Sequence, residues 1–187
     1  DNIVSTNQLY GGTYNLFAHS FPQQGINVKM VDGADFKAID AAIDEKTKAL
    51  YCESIGNPLG NIIDLKELAD IAHKHGIPLV VDNTVPTPYL CRPIDFGADI
   101  VIHSLTKYMG GHGTTIGGVI VDSGKFDWAK EPKKYPMLNE PDPSYHGVVY
   151  TEALGPAAFI CRCRVVPLSN TGAALSPHSA FLIMQGL

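Results

Sequence analysis

The sequence has no uninterrupted apolar run approaching the ~18 residues that a membrane-spanning helix requires, and this excludes a spanning role. Its first residues, Asp1 to Gln8, lack the basic segment and apolar run of a secretory signal. Basic residues are in deficit. Lys plus Arg number 14 against 19 Asp plus Glu, for a net charge of −5, so no basic stripe is available to grip nucleic-acid phosphates. Cysteine is scarce too. Cys52, Cys91, Cys161 and Cys163 form no C-x-x-C pair, and C-R-C offers two sulfurs where a structural metal wants four ligands. The expectation is a soluble, cytoplasmic protein with reduced thiols and with no metal, membrane or nucleic-acid partner.

What is present is ordinary globular material. The 187 residues are 45% hydrophobic and 18% charged, enough for one domain with a sizeable core. Strand and helix patterns alternate, which predicts an α/β fold with a mostly parallel sheet and helices on both faces. Strands are expected at Ile26 to Val31, Lys48 to Cys52, Ile77 to Val81, Asp99 to His103 and Ile116 to Val121. Helical spacing of Phe36, Ile39, Ala42 and Ile43 predicts a helix over Asp35 to Glu45. Asp64 to His75 carries the clearest helix pattern: Asp64 as cap, Glu67 three residues on, Leu65, Leu68, Ala69 and Ala72 on one face, and Gly76 as the stop. Between Lys125 and His146, four prolines and a concentration of charge predict a long surface excursion, a lid or an interface loop. A final helix is expected from Pro177, capped by Ser176.

Two positions carry the chemistry. Asp82 closes the most hydrophobic strand, in PLVVDNT, and ligands of open α/β sheets bind beyond the carboxyl ends of strands. By itself it reads equally well as a turn residue for the next segment. Lys107 follows the next strand in S-L-T-K, with Tyr108, Gly110, Gly111, His112 and Gly113 after it. Lysines in buried or cationic surroundings form Schiff bases with carbonyls. Ser104 and Thr106 supply two hydroxyls suited to phosphate oxygens, and the glycines let backbone N–H groups approach an anion. The bland alternative is a solvated lysine beside a flexible turn. An acid for a pyridine nitrogen, a Schiff-base lysine and phosphate-binding hydroxyls together describe a pyridoxal-phosphate site.

The stretch VVDNTVPTPYLCRPIDFGADIVIHSLTKYMGGHG, residues 80 to 113, resembles the Cys/Met-metabolism family of pyridoxal-phosphate enzymes. The likeness continues at LYGGTYNLF (Leu9 to Phe17), ESIGNPLGNIIDL (Glu53 to Leu65) and NTGAALSPHSAFLIMQGL (Asn170 to Leu187). The segment EPDPSYHG (Glu140 to Gly147) is most similar to the O-acetylhomoserine sulfhydrylase branch. The resemblance implies pyridoxal 5′-phosphate bound covalently to Lys107 as a Schiff base, with Lys107 also moving protons. It further implies Asp82 against the pyridinium nitrogen, Ser104 and Thr106 on the phosphate, and Tyr10 stacked on the ring and near the leaving group. Asn57 is implied beside the ring hydroxyl, and Thr84 packed on the ring.

The implied reaction is γ-replacement, in which O-acetyl-L-homoserine and sulfide give L-homocysteine and acetate. The family's methionine γ-lyase and cystathionine γ-synthase or lyase reactions stay open, as does a non-enzymatic oligomerisation module. The resemblance also implies a homotetramer with active sites shared between subunits. Within that family, residues 1–187 correspond to the central part of the large cofactor-binding domain, without the upstream segment and the small C-terminal domain. Other titratable residues are expected to be structural. His103 and His112 serve as neutral hydrogen-bonding groups, His73 and His75 sit at a helix end, and Tyr145 and His146 anchor a loop.

Overall fold

The computed structural model describes residues 1–187. Six strands, β1 (Asn2–Thr6), β2 (Asn27–Val31), β3 (Thr47–Glu53), β4 (Leu79–Asp82), β5 (Ile100–Ser104) and β6 (Gly118–Asp122), form one sheet in the order β2-β1-β3-β4-β5-β6. Every pairing is parallel except β5 with β6, so the sheet is mostly parallel, as the alternating pattern implied. The helices Phe36–Ala42 and Leu65–Lys74 contribute to the main core. Leu65, Leu68, Ala69 and Ala72 bury there with Leu50, Leu79 and Val81, and Asp64 caps the helix by accepting from the Glu67 N–H at 3.1 Å. Gly76, at φ +63°, takes the left-handed turn that ends this segment. Two smaller clusters hold the other hydrophobic groups, one around Leu9, Phe17 and Tyr51 and one around Trp128, Tyr135 and Leu138.

Three features depart from the sequence expectation. The first is β1, which lies inside the sheet between β2 and β3. Its polar Asn2, Ser5 and Thr6 are buried; the Thr47 hydroxyl donates to Asn2 Oδ1 at 2.7 Å, and the Ser5 hydroxyl donates to the Thr6 carbonyl at 2.8 Å. The second is the helix expected to reach Glu45, which ends at Ala42. Asp44 instead ties the chain back to the sheet, accepting from Asn2 Nδ2 at 2.9 Å and from Lys29 Nζ at 2.6 Å. The third is the stretch from Lys125 to His146, which is only partly a surface excursion. Trp128, Tyr135 and Leu138 are buried in the second cluster, with Trp128 stacked on Phe159 at 5.0 Å between ring centroids. The Tyr135 hydroxyl donates to the Lys48 carbonyl at 3.0 Å, and Lys134 Nζ donates to the His75 carbonyl at 3.0 Å. This segment is stapled across the strand origins rather than free to act as a lid.

The closing helix, Pro177–Met184, is capped by Ser176, whose Oγ accepts from the Ser179 N–H at 3.1 Å. Its Ile183 is buried, and the helix packs against the turn Leu105–Met109 that carries Lys107. No helix is long and apolar enough to cross a membrane.

Candidate active site

The parallel register sets Glu53 of β3 beside Asp82 of β4, and Asp82 beside Ile102 of β5, so these strands deliver their last residues to one edge of the sheet. A cavity of about 460 Å³ opens there. Six of the residues singled out in the sequence line it: Tyr10, Asn57, Asp82, Thr84, Ser104 and Lys107. Thr106 is not among the lining residues. Its hydroxyl accepts from the Gly117 N–H at 3.0 Å and donates to the Gly117 carbonyl at 3.3 Å.

Asp82 is held firmly. Its Oδ1 accepts from the Thr84 N–H at 2.9 Å and from the Thr84 hydroxyl at 2.5 Å. That hydroxyl in turn accepts from the Ser104 N–H at 2.8 Å, so Thr84 locks the acid to the start of the Lys107 turn. Two backbone bonds continue the tie, from the Ser54 N–H to the Asp82 carbonyl at 3.0 Å and from the Asn83 N–H to the Ile102 carbonyl at 2.9 Å. Lys107 leaves the helical path of its turn, with φ −96° and ψ −122°. Its Nζ lies 5.6 Å from the centroid of the Tyr10 ring. Past Lys107, Gly111 and Gly113 have φ of +68° and +64°, conformations that bulkier side chains resist, and both line the cavity mouth.

Glu53 also lines the cavity, and the sequence reading gave it no role. It is buried, and its Oε1 accepts from the Tyr10 N–H at 2.6 Å. Its pKa is pushed up to about 7, chiefly by burial and further by the neighbouring Asp82 charge, while backbone N–H groups of Tyr10 and Asn57 pull it back. An acidic residue at the end of a buried strand was the only signal available, the same one that marked Asp82.

Each of the four histidines expected to be structural has a hydrogen-bond partner within the chain. His103 is buried with Nδ1 at 3.1 Å from the Asn83 carbonyl, and burial holds its pKa below the usual value. His112 Nδ1 lies 2.8 Å from the Gly110 carbonyl. His73 and His75 bond to Asp99 and Asp40 at 2.8 and 2.6 Å. All four cysteines are free thiols, and no group of three or more metal-ligating side chains is present.

A sequence profile described as Cys/Met metabolism PLP-dependent enzyme matches residues 1–187. The chain belongs to this family. It is 57% identical over 188 residues to the homocysteine synthase of Schizosaccharomyces pombe, covering 100% of this chain and 44% of that protein. To the O-acetyl-L-homoserine sulfhydrylase of Leptospira meyeri it is 46% identical, covering 99% of this chain and 43% of the relative. The chain thus spans less than half the length of these relatives. A solved Campylobacter jejuni structure, described as an O-acetylhomoserine (thiol)-lyase with N′-pyridoxyl-lysine-5′-monophosphate, superposes with a TM-score of 0.92 at 38% identity, over 100% of this chain and 46% of that one. An O-acetylhomoserine sulfhydrylase from Wolinella succinogenes gives a TM-score of 0.85 at 39% identity, over 100% and 50%. The fold is therefore that of a part of the large domain of the family's pyridoxal-phosphate enzymes.

The side chains at the cavity fit the family's cofactor. Pyridoxal phosphate presents an aldehyde, a pyridine nitrogen, a flat ring and a phosphate. The cavity sets an amine (Lys107), a carboxylate (Asp82), an aromatic face (Tyr10), and a hydroxyl with glycine backbone (Ser104, Gly111, Gly113) around one volume. At about 460 Å³ that volume lies within the usual range of cofactor pockets.

Proposed function

We propose that these residues form the central part of the cofactor-binding domain of an O-acetylhomoserine sulfhydrylase. The reaction is the γ-replacement of the acetoxy group of O-acetyl-L-homoserine by sulfide, giving L-homocysteine and acetate. The observation that carries this reading is the convergence of Lys107, Asp82 and Tyr10 on one cavity in a chain whose relatives carry homocysteine synthase and sulfhydrylase names. Bound pyridoxal phosphate supplies an electron sink that stabilises charge developing on the amino-acid carbon skeleton.

Each residue of the chain has its own task. The Lys107 amine holds the cofactor aldehyde covalently, and when released it removes the proton from the substrate α-carbon and returns protons later in the sequence. Asp82, oriented by the two bonds from Thr84, pairs with the ring nitrogen and keeps it protonated. Tyr10 stacks on the ring and lies beside the departing acetate, and Asn57 faces the ring hydroxyl. Thr84 packs on the ring as well as orienting Asp82. Ser104 presents its hydroxyl to the phosphate. Thr106 joins it by redirecting its O–H from the long 3.3 Å bond to Gly117 while still accepting from the Gly117 N–H.

The whole protein is proposed to work in the cytoplasm as a homotetramer with shared active sites. The exposed Tyr89, Leu90 and Ile116 are apolar surface of the kind that such contacts cover. The full-length protein, loaded with pyridoxal phosphate, should convert O-acetylhomoserine and sulfide to homocysteine. A cofactor-loaded protein that instead releases methanethiol and an oxo acid from methionine would overturn the assignment in favour of a γ-lyase.

A further inference from the structure

Glu53 lines the cavity, yet the proposed chemistry gives it no task. Its place is set by sheet register: it stands beside Asp82 on the adjacent strand, so two carboxyl groups share one edge. Such a pairing is unfavourable and needs compensation. Compensation comes locally from the Asn57 N–H and, from a segment 43 residues away in sequence, from the Tyr10 N–H, which donates to Glu53 Oε1 at 2.6 Å.

Tyr10 is otherwise lightly held. Its side chain is half exposed, at 50%, so burial does not fix the ring. Its carbonyl accepts from the Tyr14 N–H at 2.9 Å, as the opening turn of the helix Gly11–Asn15. Its ring folds over Gly12, where an added Cβ would stand 2.7 Å from Tyr10 Cε1, so only glycine leaves that path open. From there the ring faces Lys107 Nζ, 5.6 Å from its centroid. Its neighbours Leu9 and Phe17 pack on Tyr51 of β3, and the bond to Glu53 is the tie that Tyr10 itself makes to the sheet end that carries Asp82.

The geometry points to Glu53 as a positioning residue, whose carboxyl clasps the Tyr10 backbone and so fixes the Tyr10 ring against Lys107. The clasp needs an acceptor oxygen at that reach and does not need a charge. This inference rests on the reading of the cavity as a cofactor site. It does not depend on which γ-substituted substrate is used.

The test uses the full-length protein and four variants: Glu53→Ala, Glu53→Asp, Glu53→Gln and Tyr10→Ala, with Tyr10→Ala also combined with Glu53→Ala. Cofactor affinity is read by spectroscopic titration with pyridoxal phosphate. The kcat and KM for O-acetylhomoserine, and the urea midpoint, are read beside it. Glu53→Asp keeps the charge but is one methylene short, and like Glu53→Ala it should weaken cofactor binding about tenfold, the usual cost of a buried backbone donor left unpaired. Both should lower kcat more than they raise KM. Glu53→Gln keeps an oxygen in place and should recover affinity to within about threefold. In the Tyr10→Ala background, Glu53→Ala should change affinity less than about twofold, because the ring that the clasp positions is gone.

Two results would overturn the inference: Glu53→Asp rescuing while Glu53→Gln does not, which would make the charge the active feature, or effects at Glu53 and Tyr10 that simply add. Because affinity is read without substrate, failure of the sulfhydrylase assignment would show separately, as a tightly binding wild type that makes no homocysteine.

Discussion

The two ends of the sheet each hold a buried carboxyl group, and the contrast between them separates a scaffold from a site. At the amino end of β5, Asp99 is buried and satisfied: its Oδ2 accepts from the Leu79 N–H and from His73 Nε2, both at 2.8 Å. At the carboxyl end of β3, Glu53 is also buried, stands in register with Asp82, and lines the cavity that holds the Lys107 amine. Burial raises the pKa of both. A perturbed carboxyl therefore does not by itself mark function. What marks it is the company a carboxyl keeps, as Asp82 shares one cavity with the Lys107 amine and the Tyr10 ring.

The sharpest way to break this contrast is to remove the cation at the site end. Lys107→Ala should lower kcat/KM by roughly a thousandfold or more, since covalent attachment and proton transfer are lost together, while the urea midpoint stays near that of wild type. At the other end the consequences should reverse. Asp99→Ala leaves the Leu79 N–H unpaired and should cost about 1–3 kcal/mol in urea unfolding, with kcat of the folded protein retained.

A smaller effect sharpens the comparison through pH. Glu53 ionises near 4.5 in an unfolded chain, whereas folding holds it neutral until about pH 7. The unfolded state thus loses this proton first, and stability falls as pH rises from about 4.5 to about 7. The charged or titratable groups around Glu53 include Asp82 on β4, Tyr51 and Cys52 on its own strand, and Tyr10, Lys107 and Tyr108 along the cavity. Across that window wild type should lose roughly a few degrees of Tm relative to Glu53→Gln, and melting curves at stepped pH would reveal it. The smallest effect is at the staple: Tyr135→Phe removes the bond to the Lys48 carbonyl and should cost about 1 kcal/mol, without change in cofactor affinity.

How much the sequence disclosed follows the same division. Local signals worked where the determinants were local: Asp64 and Gly76 bracketed the helix Leu65–Lys74, and the apolar run before Asp82 marked β4. The cavity was legible because Asp82, Ser104 and Lys107 sit at or just past strand ends, a position that chain order alone reveals. β1 was hidden because it buries polar residues, of which Asn2 is satisfied by a partner as far off as Thr47. The aromatic staple was hidden by the prolines and charges around Trp128 and Tyr135, whose burial depends on Lys48 and Phe159. Glu53 was hidden because its meaning lies in the register with Asp82 and in a backbone donor 43 residues away.

The most direct test of the central claim, that the carboxyl-end cavity is a cofactor site built on Lys107, is borohydride reduction of the full-length protein after loading with pyridoxal phosphate, followed by peptide mass mapping. The predicted result is a single pyridoxyl adduct on the peptide containing Lys107, absent from Lys107→Ala. An adduct spread over surface lysines, or none on the Lys107 peptide, would contradict it.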